Sequence, residues 1–246
     1  MIEFTVTEWA AWAPDLQMRE AWLAWASAPA LPRGEGSPAL AEVPALQRRR
    51  IDRLGRMAIQ AAYWCDEAAA IGAPLVFASR HGDVQRSLEL LRQQARSEPM
   101  SPTAFGLSVH NAIAALYTIL RGERGNYLAL AAGRASVETA LIEAVGLLAD
   151  GASEVRVVVY DAPLPADYGC FVDEPEAGYA WCWRVRAAAA AGARLSLEWL
   201  PATDADAAAP AAALPAGLAP LQFLLAGARQ HEQTGDGVRW RWRRHD

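Results

Sequence analysis

Lysine is missing from this chain: all 23 basic residues are arginine. No Walker-A phosphate loop is therefore available, because that loop needs its Lys on the phosphates. A Schiff-base Lys for a carbonyl substrate or a pyridoxal cofactor is excluded too, as is a Lys-activated serine. Cysteine is scarce. Cys65, Cys170 and Cys182 cannot build an even disulfide framework and none sits in a C-x-x-C pair, which points to a reducing cytoplasm and away from a zinc site. Long unbroken apolar runs are lacking as well. The most apolar late stretch, Ala207 to Ala228, is interrupted by Pro210, Pro215 and Pro220 and makes a poor membrane span. The start, MIEFTVTEWAAW, has an early Glu and no basic region ahead of an apolar run, so it does not read as a signal peptide. An excess of basic charge is also absent. A net charge of −5 argues against a dedicated nucleic-acid binder, whose affinity comes mainly from positive charge.

What is present is a 246-residue chain, 53% hydrophobic and 21% charged, long enough for a substantial core. It contains 54 Ala, about a fifth of the chain, so much of the apolar content is small side chain. Periodicity predicts strands at Ile2–Thr7, Pro74–Ala78, Tyr127–Ala132, Glu154–Tyr160, Gly178–Arg186, Arg194–Leu200 and Val238–Arg243. Helices are predicted at Gln17–Trp25, Gln47–Ile71, from the Asp83 cap through Ala95, and at Gly106–Leu120, Ser136–Ala149 and Leu221–Gln230. Ala30–Pro44 reads as a Pro/Gly loop. Residues 201–217 form an Ala/Pro-rich surface segment within one domain spanning 1–246. Strands alternating with helices imply an α/β fold with a mostly parallel sheet and helices on both faces.

Several motifs have a bland reading beside a chemical one. Gly34-Glu-Gly36-Ser-Pro-Ala39 matches G-x-G-x-x-A, but no strand precedes it and Pro38 stands where a helix should begin. Gly106-Leu-Ser108-Val-His110 has the look of a serine-hydrolase elbow, yet it lacks the second Gly and the preceding strand. Ser108 and His110 are two apart on a predicted helix and face different directions. His81, in Ser79-Arg-His-Gly-Asp83 just past a strand, is the best isolated catalytic candidate, against a loop residue before a helix cap. Arg48, Arg49, Arg50, Arg53 and Arg56 form a basic patch, either a solvated helix face or a docking surface for an acidic partner. Paired rings at Trp181/Trp183 and Trp240/Trp242 share a strand face, as core or as interface cover.

The most specific string is Pro102-Thr-Ala-Phe105-Gly-Leu-Ser108-Val-His110-Asn111-Ala112. Upstream lie Pro44…Arg48-Arg-Arg50…Arg56-Met57-Ala58 and Pro74-Leu-Val-Phe-Ala-Ser79-Arg-His-Gly82. Downstream lies Tyr160-Asp161…Pro163…Pro165. Together these motifs resemble the beta-ketoacyl synthase-like family, and within it the half-length chain-length factors of aryl-polyene and xanthomonadin-type pigment clusters. The resemblance covers nearly the whole chain. It implies a thiolase-like fold, in which a full ketosynthase has two βαβαβαββ halves and this chain is the N-terminal one. Active members of that family carry a nucleophilic Cys at the start of a buried helix, whose positive end stabilises the thiolate. Here that position falls on Gly133, Arg134 or Ala135, and the nearest hydroxyl, Ser136, is already inside the helix.

The resemblance therefore implies a non-catalytic chain-length factor that pairs with a full-length beta-ketoacyl synthase in polyketide or fatty-acid-type biosynthesis. The partner would carry the acyl groups, and no cofactor or metal is expected on this chain. Acyl carrier protein would dock on a basic face such as Arg48–Arg56, and Tyr127, Leu128, Ala129 and Leu130 would form the dimer edge. Arg134 is expected to turn away from the helix end, to pair with a carboxylate, or to meet an anionic group of a partner. The apolar helices at 106–120 and 136–149 would leave a face bare unless a partner covers it. Two alternatives remain: a hydrolase or acyltransferase using His81, Ser108 or Ser136, and a homodimeric scaffold.

Overall fold

The computed structural model describes residues 1–65, 72–203 and 212–245. The chain opens with β1 (Ile2–Trp12) and α1 (Arg19–Ser27), then α2 (Ala45–Arg48), α3 (Arg53–Trp64) and β2 (Leu75–Ala78). Next come α4 (Val84–Ala95), α5 (Pro102–Gly106), α6 (Ala112–Arg121) and β3 (Tyr127–Leu130). A 3-10 turn at Gly133–Ala135 leads into α7 (Ser136–Ala149) and β4 (Val155–Asp161). The rest comprises β5 (Tyr179–Arg186), β6 (Ala193–Pro201), α8 (Ala219–Leu225), β7 (Gln230–Gly235) and β8 (Val238–Arg244). The eight strands form one sheet in the order β3-β2-β4-β5-β1-β6-β8-β7.

The α/β architecture with helices on both faces is as expected, but the pairing is not mostly parallel. Only β2–β3 and β2–β4 pair in parallel; β4–β5, β5–β1, β1–β6, β6–β8 and β8–β7 are antiparallel. The reason is connection length. Parallel neighbours need a crossover, and only the 79–126 and 131–154 connections supply helices that return the chain in the same direction. After β4 the chain mostly reverses in loops and a hairpin.

Three element boundaries also differ from the periodicity. The helical pattern at 47–71 breaks after Arg48, because the Asp52 carboxylate takes the amide of Gly55 at 2.9 Å and starts a new helix; its last part, 66–71, lies outside the described residues. The pattern at 106–120 is interrupted at 107–111. Ser101 caps α5 ahead of Pro102, and the Ser108 hydroxyl donates to the Phe105 carbonyl at 2.8 Å, closing a turn in place of a continuing helix. The last helix ends at Leu225, and 230–235 form a strand instead. Asp236 and Gly237, both at positive φ (54° and 78°), make the tight reversal into β8.

The core lies on both faces of the sheet. Val155, Val157 and Val159 point one way, with Trp181, Trp183 and Val185, and are covered by α1, α7 and α8. Val158, Tyr160, Ala180 and Cys182 point the other way, under α3 and α6. This is the alternation a doubly covered strand must show. Trp181 and Trp183 stack with centroids 4.6 Å apart, and the Trp181 indole donates to Gly217 O at 2.8 Å. Both rings are core residues.

Candidate functional site at the carboxyl ends of the parallel strands

Strands β2, β3 and β4 run in the same direction, and their carboxyl ends bring together the loop after Ala78, the 133–135 turn and Asp161. In open α/β sheets this is where ligands bind. The Ser79 hydroxyl donates to Asp161 Oδ1 at 2.8 Å, the Arg80 amide donates to the same oxygen at 3.0 Å, and Tyr179 OH reaches Oδ2 at 3.4 Å. Burial pushes the Asp161 carboxyl up to about 7 against these hydrogen bonds. Ser79 Oγ in turn accepts the Gly82 amide at 2.8 Å. Gly82 sits at φ 64°, and a Cβ there would lie 2.7 Å from His110 Nδ1, so glycine is required on both counts. The other ring nitrogen of His110 bonds Leu130 O at 2.9 Å. His110 thus bonds the end of β3 while its other ring edge lies against Gly82 in the loop after β2.

The turn Gly133-Arg134-Ala135 follows β3 directly. Ser136 Oγ donates to Gly133 O at 2.8 Å and accepts the Ala132 amide at 3.1 Å. Arg134 Nε lies 3.5 Å from Glu174 Oε2 and its Nη2 lies 3.4 Å from Asp173 O, both on the connection between β4 and β5. The tip of the β7–β8 hairpin closes over the turn. Gly133 is at φ 56°, and a Cβ on it would meet Asp236 Oδ2 at 2.8 Å. Glu138, one turn into α7, is fully buried and holds that hairpin down. Its Oε1 accepts from Gln233 Nε2 at 2.5 Å and from Trp242 Nε1 at 3.2 Å, while its Oε2 has no partner. Burial pushes its carboxyl up to about 8, so it is held as the neutral acid at pH 7.

The sequence candidates fall as follows. Burial, with Arg80 beside it, pushes the His81 imidazole down. Ser79, Ser108 and Ser136 each direct the hydroxyl proton to another acceptor, so among the described residues none is presented to His81 or His110 as a nucleophile. Pro102 begins α5, Phe105 is 62% exposed, and Asn111 stands at the start of α6. Three of the five patch arginines turn inward onto backbone carbonyls. Arg48 bonds Ala39 O, Arg53 bonds Gly34 O and Gly36 O, and Arg56 bonds Ile51 O and Arg48 O. The carbonyls that Arg48 and Arg53 bond belong to the G-x-G-x-x-A string, which is loop. Tyr127–Leu130 form the outer strand of the sheet, with Leu128 39% exposed.

Two features escaped sequence reasoning. Asp161 stood only within the Tyr160-Asp161…Pro163…Pro165 motif, and Glu138 lay unremarked in the helix predicted at 136–149; a carboxylate inside an apolar pattern was the available signal. The second is a cavity of about 950 Å³ between the 32–35 loop, the start of α3 and α4. On its wall the helix caps Asp52 and Asp83 meet, and Arg86 pairs with both. Burial and the neighbouring Asp52 push the Asp83 carboxyl up to about 6. No group of three or more metal-ligating side chains is found among the described residues. No helix among them is long and apolar enough to cross a membrane.

The model of the beta-ketoacyl synthase N-terminal domain matches residues 22–243. The chain belongs to this family. Among solved structures, a chain of the ketosynthase (ApeO) in complex with its chain length factor (ApeC) from Xenorhabdus doucetiae superposes with a TM-score of 0.87 at 26% identity. That match covers 99% of this chain and 100% of the other. The ishigamide ketosynthase/chain length factor gives 0.64 at 20% identity, over 83% of this chain and 69% of that one. A beta-ketoacyl synthase from Burkholderia phymatum gives 0.61 at 15%, over 93% and 71%. The latter two speak for the fold alone, which is the thiolase-like ketosynthase N-terminal fold. No curated protein sequence matches the chain. For this ketosynthase-family chain, the decisive local fact is what occupies the turn ahead of α7. Glycine, arginine and alanine stand there, and none of the three offers a thiol or hydroxyl.

Proposed function

We propose that this chain is a single half-domain that serves as the non-catalytic, chain-length-factor partner of an active beta-ketoacyl synthase. The observation that carries the reading is the turn at 133–135. It has no nucleophile, Arg134 is held by the 173–174 segment, and a side chain at position 133 would sit at φ 56° and have to displace the Asp236 carboxylate. Without a thiol at this turn no acyl thioester forms there, so the partner carries the acyl group in this reading. The ApeO–ApeC complex supports the pairing, because the chain matched in it is no longer than this one, whereas the Burkholderia ketosynthase is matched over only part of its length. The same likeness favours a pathway of the aryl-polyene type, in the cytoplasm.

The dimer edge in this reading is β3. It is the outer strand, and Ile119 on the neighbouring α6 is 72% exposed, so an apolar patch borders unpaired backbone groups. Arg49 and Arg50 are left for the acidic face of a carrier protein, since Arg48, Arg53 and Arg56 bond the chain's own carbonyls. A serine–histidine hydrolase is disfavoured by the committed hydroxyls of Ser108 and Ser136. The test is co-expression with a full-length beta-ketoacyl synthase from the same organism. A 1:1 complex that makes product, and is lost with Leu128→Glu while the isolated variant keeps its fold, is expected. A ketosynthase that purifies alone and works equally well without this chain overturns the reading. A stable homodimer that ignores the ketosynthase would point to the scaffold instead.

A further inference from the structure

The connection between β4 and β5, residues 162–178, folds back over the ends of β2 and β3 and places its acidic tip between two arginines. Glu174 Oε1 lies 3.1 Å from Arg80 Nη1. Its Oε2 accepts the Ala216 amide at 3.0 Å and lies 3.5 Å from Arg134 Nε. Arg80 also pairs with Asp173 at 2.6 Å. The donors come from three separate elements: the loop after β2, the turn before α7 and the segment leading to α8. Such convergence on one carboxylate is a charge-assisted receptor with its occupant in place. The occupant belongs to the chain itself.

We propose that Arg80, Arg134 and the amide of Ala216 form a carboxylate-binding site, filled here by Glu174, which a small aliphatic carboxylate takes when the 162–178 strap lifts. The occupant defines the chemistry, a carboxylate on a slim methylene stem. The site is too enclosed for a folded surface, because the Glu174 side chain is only 10% exposed. The strap, by contrast, is weakly held. Phe171 is 63% exposed and Val172 43%, so its tip is retained by polar contacts and not by buried apolar area. The pairs with an exposed member, Arg80–Asp173 and Arg92–Asp167, contribute little, so the Glu174 contacts are the main hold on the tip. Asp173 is half exposed on its side of the pair with Arg80. Arg80 Nε is buried without a hydrogen-bond partner, a donor that a differently seated carboxylate would satisfy. The two guanidiniums stay behind when the strap moves, since they belong to the ends of the sheet.

The inference rests on this geometry and does not depend on the chain-length-factor reading. Its test uses the full chain and sodium acetate as probe, against sodium chloride at equal ionic strength. Glu174→Ala is expected to lower Tm by about 2–4 °C, consistent with the loss of a modest interaction in a chain of this size. Acetate, and not chloride, restores it. The double variant Arg134→Gln/Glu174→Ala loses the acetate response. Equal effects of acetate and chloride on Glu174→Ala, or a double variant that responds as the single does, overturn the proposal. Hydrogen exchange on the unmodified protein gives a readout that needs no variant to fold. Acetate should speed exchange of the strap amides at 166–175 several-fold over chloride, and unchanged exchange overturns the proposal.

Discussion

Glu138→Gln isolates one buried acid and gives a pH dependence of calculable sign. In the folded chain the Glu138 carboxyl titrates at about 8, above its ordinary 4.5, because burial disfavours the carboxylate. An acid raised by folding binds its proton more tightly in the native state. Stability is therefore highest below the unfolded value and falls as pH rises toward about 8, where the native acid ionises too. Glutamine resembles the neutral acid and keeps an oxygen for Gln233 and Trp242, but it does not titrate. The difference in unfolding free energy, variant minus wild type, should thus climb with pH. Between about pH 5 and about pH 9 the climb is about 4 kcal/mol, taking about 1.4 kcal/mol per pH unit across the shift. At low pH the variant should be the less stable by about 1–2 kcal/mol, since its amide NH2 enters the place of the unpartnered Oε2. Urea unfolding across that pH range measures both. A difference that stays flat with pH would refute a buried neutral Glu138 and the latch it makes on the hairpin.

Arg156 is fully buried on β4 and grips Glu123 through Nη2, at 3.0 and 2.8 Å, and Tyr117 OH at 3.0 Å. Glu123→Ala should cost about 3–5 kcal/mol in denaturant unfolding by removing the carboxylate from a buried guanidinium, whereas Arg156→Met with Glu123→Leu should cost far less. Gly82→Ala forces a side chain to φ 64° and into His110, and thermal unfolding should show a loss of about 1–3 kcal/mol; an unchanged Tm would deny the close approach. Asp83→Asn keeps an oxygen for the Arg86 amide but removes the group that titrates at about 6. Wild-type stability attributable to Asp83 falls as pH rises from about 4 through about 6, and in the variant that slope should flatten in urea titrations. Arg134→Cys should not confer condensing activity on the isolated chain, because the β7–β8 hairpin lies against the turn and the neighbouring carboxylates of Glu174 and Asp236 disfavour a thiolate there; turnover of an acyl thioester would refute this.

Some of this protein was legible from its letters. Asp83 announced α4 because its short carboxylate satisfies an orphan amide whatever surrounds it, and the structure starts the helix there. The Val run at 155–159 could be little else than a strand covered on both faces. The motif Pro102…Asn111 and its companions named the family, which the domain match over 22–243 shows. The hairpin at 230–244 was missed in its first half because Gln230-His-Glu-Gln-Thr-Gly has no apolar alternation. Its inward side chain at 233 meets a carboxylic acid on α7, not a hydrocarbon core. Asp236-Gly237 was the turn signal that pattern reading passed over. The arginine patch stayed open between two readings for a related reason. A guanidinium looks the same in a sequence whether it meets water or a carbonyl, and the path of the 34–51 loop makes that choice for Arg48, Arg53 and Arg56.

The sequence by itself determined the local elements, the family and the absence of a nucleophile ahead of α7, since each depends on residue identity and near-neighbour spacing. Tertiary structure alone decided the pairing directions within the sheet, the closure of the 133–135 turn by Asp236, and the meeting of Arg80 and Arg134 on Glu174. Those contacts join residues 40 to 103 positions apart. Their existence follows from which strands lie side by side, and no periodicity along the chain carries that information.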